Sequence, residues 1–262
     1  MKYWHIFKMS VTRILTYRID FVMGRLQNIA ILLLIYFIWS AASRDGGRFA
    51  WLTANELITY VFVIHLLRVA VIGQLSARIA EEINDGTFSM FLLKPIKHFL
   101  FCYIRELGER SILFVSAAVE ITVVAWLSPH SIVFPTYSLT WIPIVFFLIT
   151  AHILSFLMSY ALNLLAFWSH EAIGPRFLFQ WVMEFASGAY FPLFIAGGTI
   201  ETILLFLPFA YLIYVPVMIF LEQADWSAPL VLMIVSFWLS LVSVVTYLMW
   251  HRGLRRYSGQ GI

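Results

Sequence analysis

Four residues able to carry charge or move a proton lie inside otherwise apolar runs: His65, Arg68, Glu120 and Glu184. His65 and Arg68 are three apart, which places them on one helix face. An arginine in the middle of an apolar run costs about 2.5 to 3.5 kcal/mol on insertion scales, so it must face protein or water. Counted along helices that rise about 1.5 Å per residue, Arg68 lies about as deep as Glu184, and the sequence predicts an ion pair between them at a central interface. Glu120, nearer the outer surface, is the other candidate partner. Intramembrane charges serve structure and translocation pathways alike, and both roles stay open. His65, Glu120 and Glu184 could also act as the acid and base groups of a membrane-embedded enzyme working on lipids, which would require them to converge on a substrate.

Other reactive side chains suggest less. Glu81, Glu82 and Asp85 fall within about one helical turn, but a cation would need further ligands around it and none is adjacent. They read as the solvated end of a helix that stops at Asn84-Asp85-Gly86, with the glycine as its cap. His152 and His170 lack companions at metal-ligand spacing, and Ser155 and Ser187 read as packing or capping groups. Cys102, the lone cysteine, has no partner for an intramolecular disulfide and reads as a packing residue. The phosphate-binding pattern Gly-x-x-x-x-Gly-Lys-Ser/Thr is absent from the sequence, so ATP hydrolysis by that route is not a property of this chain.

The elements that must position these residues follow from composition. Of 262 residues 62% are hydrophobic and 12% charged, against about 25% charged in a soluble domain. Apolar runs near 22–43, 56–77, 107–127, 141–168, 177–197 and 229–250 match the roughly 20 residues a membrane span needs. The whole chain is one transmembrane domain, and nothing supports nucleic-acid binding. No cleavable signal peptide is expected, because basic and apolar groups alternate over the first 18 residues. Residues 1–20 read as an interfacial amphipathic helix, with Trp4, Phe7, Val11, Ile14 and Leu15 at helical spacing. Lysine and arginine gather at the amino terminus, between 78 and 110, and in the tail, whereas the opposite loops carry Arg44 and Arg48 beside Asp45 and Glu56, or Glu222 and Asp225. The positive-inside rule then places both termini in the cytosol and demands an even number of spans. Six result when 177–222 is read as one span followed by a broken, re-entrant outer element over 198–222, with Gly197-Gly198 as its turn and Pro192, Pro208 and Pro216 interrupting helices. The expected fold is an all-α polytopic membrane protein.

Between the second and third spans, "EEINDGTFSMFLLKPIK" at 81–97 mixes acids, a glycine, aromatics, lysines and a proline. Phe88, Met90, Phe91, Leu92 and Leu93 predict a short helix closed by Lys94-Pro95, with aromatics exposed for docking. "INDGTFSMFLLKPI" at 83–96, "SGAYFPLFI" at 187–195, "LPFAYLIYVPVMI" at 207–219 and the tail "WHRGLRRYSGQG" at 250–261, together with the order of elements, resemble the ABC-2 superfamily of export permeases, in particular a subgroup with two permeases and one separate ATPase.

This resemblance implies a half-transporter of the bacterial plasma (inner) membrane. It would form a pathway with a second permease subunit, identical or homologous, in contact with membrane lipid. A nucleotide-binding ATPase subunit, carrying ATP and Mg, would couple through Glu82, Asp85, Gly86, Thr87, Phe88, Leu92, Lys94 and Pro95. The outer segment holding Gly188, Pro192, Pro208 and Pro216 would close the pathway. The resemblance assigns no substrate contact to His65, Arg68, Glu120 or Glu184. An assembly or immunity subunit using the same fold without transport is a further alternative.

Overall fold

The computed structural model describes residues 2–43, 48–73, 76–169 and 173–257; the expectations that fall on Arg44, Asp45 and His170 lie outside them. Among the described residues the regular structure is helical apart from an antiparallel hairpin of two-residue strands, β1 (Arg48–Phe49) paired with β2 (Leu52–Thr53). Helix α1 (Lys2–Thr16) breaks at Tyr17 before α2 (Arg18–Ala42), and α3 (Ala54–Val71) follows the hairpin. The short helices α4 (Ser76–Asn84) and α5 (Ser89–Leu92) lead into α6 (His98–Leu127), then α7 (Trp141–Asn163) and α8 (Ile173–Ala186). The last three are α9 (Gly198–Phe206), α10 (Tyr214–Phe220) and α11 (Ala228–Arg256).

Burial explains which helices are central. On α3 every residue from Leu57 to Phe62 is buried, so the helix is apolar on all sides because protein surrounds it. It packs against α2, α6 and α7. Its start is fixed by a capping box: Thr53 Oγ1 accepts from the Glu56 N–H (3.3 Å) while the Thr53 N–H donates to Glu56 Oε2 (2.7 Å). Helices α2, α6 and α11, with α8 and the first half of α7, carry the apolar outer surface. Val115, Val119 and Val123, each more than half exposed and four residues apart, form one such stripe on α6, the surface expected where hydrocarbon replaces water.

Among the described residues five stretches are long and apolar enough to cross a membrane: Arg18–Ala42, Ala54–Val71, His98–Leu127, Ser138–Phe167 and Ala228–Arg256. The all-α polytopic architecture is therefore as expected, but the apolar run at 177–197 is not one continuous helix. Helix α8 has 14 residues, about 21 Å at the helical rise, and ends where Gly188 turns with φ +81°. The Tyr214 N–H then donates to the Ser187 carbonyl (3.0 Å), and the Tyr60 hydroxyl donates to the Gly188 carbonyl (2.9 Å). These bonds hold the broken segment in the core. A Cβ at Gly188 would stand 3.1 Å from the Tyr60 hydroxyl and 3.2 Å from Tyr214 Cβ, so both space and φ call for glycine.

The proline expectation is corrected in one respect. Pro192 and Pro208 stand where short 3₁₀ turns begin, but Pro216 lies in the first turn of α10 instead of interrupting a helix, a place where the missing N–H costs nothing. Residues 211–218 are buried without exception. Irregular backbone at this depth survives because protein encloses it.

Helix α1 packs on α6 along Ile6, Phe7, Ser10, Val11 and Ile14, while Trp4 and Leu15 remain exposed. The two helices approach closely at Gly108, where a Cβ would lie 2.9 Å from the Phe7 carbonyl oxygen.

Candidate functional site: a coupling turn and a buried charge network

The segment 81–97 is built on a packed base. Helix α4 ends at Asn84, and Gly86 turns with φ +78°. Asp85 Oδ1 accepts from the Thr87 N–H (3.0 Å) and hydroxyl (2.7 Å), closing the turn. The Tyr257 hydroxyl donates to the Gly86 carbonyl (3.1 Å), bringing the chain's tail onto it.

Phe88 overturns the expectation of an exposed aromatic knob: it is fully buried. Its ring meets those of His98, Phe167, Trp250 and Tyr257 edge-on, with centroids 5.0 to 5.8 Å apart, a geometry aromatic quadrupoles favour. Four neighbours supplied by α6, by the turn after α7 and by α11 with its tail enclose it. All but His98 are distant in sequence. The exposed apolar groups are instead Met90, Leu92 and Leu93, the last 82% accessible. Lys94 and Pro95 are exposed beside them, with Lys94 Nζ 4.7 Å from the centre of the Phe91 ring.

Glu82 ties the base together. Arg105 Nη1 donates to its Oε1 (3.1 Å), and His98 Nε2 stands 3.8 Å from Oε2, near enough to act as a charge partner but too far for a good hydrogen bond. Burial alone would raise the Glu82 carboxyl. His98 and Arg105 outweigh it and hold the group below its ordinary value.

The intramembrane groups form two networks. In one, Arg68 Nε and Nη2 donate to Glu184 Oε2 at 3.1 and 2.9 Å, Tyr190 donates its hydroxyl to the same oxygen, and Gln180 Nε2 donates to Oε1 (3.2 Å). Both carboxylate oxygens are occupied. The Arg68 guanidinium also lies 5.4 Å from the centre of the Tyr190 ring. In the other, Glu120 takes His65 Nε2 (3.2 Å) and Arg25 Nη1 (3.4 Å), and Arg25 also donates to Ser116 Oγ (3.2 Å). His65, Glu120 and Glu184 are all buried, but Glu184 belongs to a different network from the other two.

Arg25 is the member of this network that sequence reasoning passed over. It lies within the run 22–43, three residues before Asn28, and the intramembrane-charge argument applied to Arg68 would have found it. Arg110, counted with the basic loop, donates instead to the Val69 carbonyl (2.9 Å) inside the bundle. Gly188, Pro192, Pro208 and Pro216 are all buried, where they shape backbone inside protein.

An apolar surface is thus offered on a packed turn between spans of a helical membrane bundle. A family model described as ABC-2 family transporter protein matches residues 29–261. The chain belongs to the ABC-2 transporter family. No curated protein is similar enough in sequence to match it. Membership makes this ABC-2 protein a multi-pass transport permease that works with an ATPase subunit.

Proposed function

We propose that this ABC-2 permease is half of an ATP-driven exporter in a bacterial plasma membrane, with both termini cytoplasmic and a second, identical or homologous permease completing the pathway. ATP and Mg are held by a separate nucleotide-binding subunit, which docks on Met90, Leu92, Leu93 and the flanking Lys94 and Pro95. The observation that carries this reading is the exposed apolar triplet on an otherwise fully packed base. Charges alone would give a solvated loop, whereas apolar groups exposed at the tip of a rigid turn favour a protein partner. Motion of the ATPase would reach α6 through His98 and Arg105, and α11 through Trp250 and Tyr257. Lipid and the partner permease would cover the apolar outer faces of α2, α6 and α11.

The deciding experiment is co-purification with the neighbouring ATPase, comparing the native chain with Leu92→Ser and Leu93→Asp. Both substitutions lie on the exposed surface, so the fold and Tm should be retained while ATPase association and permease-dependent hydrolysis are lost. Unchanged association and hydrolysis in both variants would refute docking at this turn.

A further inference from the structure

The second feature of the bundle that the coupling turn does not explain is a pair of arginine-lined chambers. A cavity of about 110 Å³ is lined by Arg25, Asn28, Arg68, Arg110, Gln180 and Glu184, among others. It shares Arg25, Asn28, Arg68 and Leu113 with a larger chamber of about 610 Å³, whose wall also carries Arg13 and Arg78 beside Asp20 and Glu109. We propose that the inner chamber binds an oxyanion of the phosphate class, and that the outer one admits the molecule bearing it. The proposal deepens the transport reading and rests on it for the idea that the bound molecule is cargo.

Donors, not net charge, make the argument. Glu106 and Glu120 lie behind the wall, and counting them the nearby charges balance. The hydrogen bonds do not. Both oxygens of Glu184, the carboxylate lining the inner chamber, are already occupied. Each guanidinium has five N–H donors; Nε of Arg25 and of Arg110 is buried with no hydrogen-bond partner among the described residues, as is the acceptor Oε1 of Glu106 that faces Arg110. Arg110 Nε stands 4.0 Å from Glu106 Oε1, beyond hydrogen-bond reach. Three guanidiniums line the inner chamber while its one lining carboxylate has both oxygens taken, and the group that satisfies several planar forks at once is an oxyanion with several acceptor oxygens. At about 10 to 15 Å³ for each water, the inner volume is enough for such a group and not for a large body. A headgroup would sit there with the remainder of its molecule in the outer chamber or beyond.

The test is binding to the purified full chain, using phosphatidylglycerol against phosphatidylcholine in mixed micelles and inorganic phosphate by equilibrium dialysis. Saturable binding of phosphatidylglycerol or phosphate is expected, weakened about tenfold or more by Arg25→Gln and by Arg110→Gln. Arg255→Gln, which removes an exposed charge on α11, should change nothing. Asn28→Leu narrows the chamber without altering charge and should also weaken binding at native Tm. The double variant Arg25→Gln with Glu120→Gln keeps the interior neutral should Arg25→Gln alone fail to fold. Competition by phosphate against phosphatidylglycerol would assign a soluble anion, and its absence a lipid headgroup. No binding of either probe, or equal losses in Arg255→Gln and the chamber variants, overturns the proposal. Arginine-dependent binding in a chain that never stimulates its ATPase would refute the transport reading and leave the site standing. Coupled hydrolysis without such binding would refute the site alone.

Discussion

Replacing Arg68 by glutamine leaves Glu184 as a carboxylate with Tyr190 and Gln180 as donors but no counter-charge. Replacing Glu184 by glutamine leaves the guanidinium of Arg68 beside the Tyr190 ring alone. The two side chains are 17% and 7% exposed, so each orphaned charge is largely cut off from solvent. Breaking such a pair costs about 3 to 5 kcal/mol in soluble proteins, and a lone central charge costs about 2.5 to 3.5 kcal/mol on insertion scales. Each single variant should therefore lose about 3 kcal/mol. The double variant, Arg68→Gln with Glu184→Gln, loses the same hydrogen bonds but orphans no charge, so it should cost no more than about 3 kcal/mol in total. The resulting coupling energy is about 3 kcal/mol, the upper end of what contacting pairs show. Equilibrium unfolding in mixed micelles, followed by far-UV circular dichroism, measures all four corners of the cycle. Additivity within about 0.5 kcal/mol would refute the pairing, and a loss below about 1 kcal/mol in both single variants would refute the claim that the pair is shielded.

Phe88→Ala should destabilise the coupling turn by about 3 to 5 kcal/mol and loosen the tail as well, seen as faster proteolysis after Arg256, whereas Phe88→Leu should lose less; equal protease resistance in all three chains would contradict the packing of the tail on Phe88. Thr53→Ala removes the cap of α3 and should cost about 1 kcal/mol, read as a lower Tm, with no change in ATPase association. Glu82 supplies a pH test. Because its folded carboxyl lies below the ordinary value of 4.5, the stability it contributes is complete above that value and is lost as pH falls through the lower folded-state value. Tm should fall over that acid range less steeply in Glu82→Gln than in the native chain, and parallel curves would show that the group is not linked to folding.

How much of this was legible in the sequence depended on the kind of information each feature needs. Arg68 and Glu184 could be matched because both stand in apolar runs and depth along a helix is simple counting. Arg25 was equally countable and was missed because it lies close to the basic amino-terminal cluster. The break after Ala186 could not be read from apolarity, since a hydrophobic run specifies the medium around it and not the backbone's path through it. It is Tyr60 and Tyr214, distant in sequence, that stabilise the turn at Gly188. Phe88 failed for the same reason in reverse. A short apolar helix between charges reads as exposed until Phe167, Trp250 and Tyr257 are known to converge on it, and no local pattern announces that convergence.

The enclosure of Phe88 also orders events during synthesis. Tyr257, which donates to the Gly86 carbonyl, leaves the ribosome 171 residues after its acceptor, about 10 to 30 s later at ordinary translation rates. Phe167 is made about midway through that interval, but the rings of Trp250 and Tyr257 arrive only at its end, so the turn beneath Leu92 and Leu93 stays unfinished while the earlier helices are already being inserted. A chain interrupted before its last helix would present a malformed handle. Residues 250 and 257 therefore complete the seat of a surface that lies far earlier in the chain.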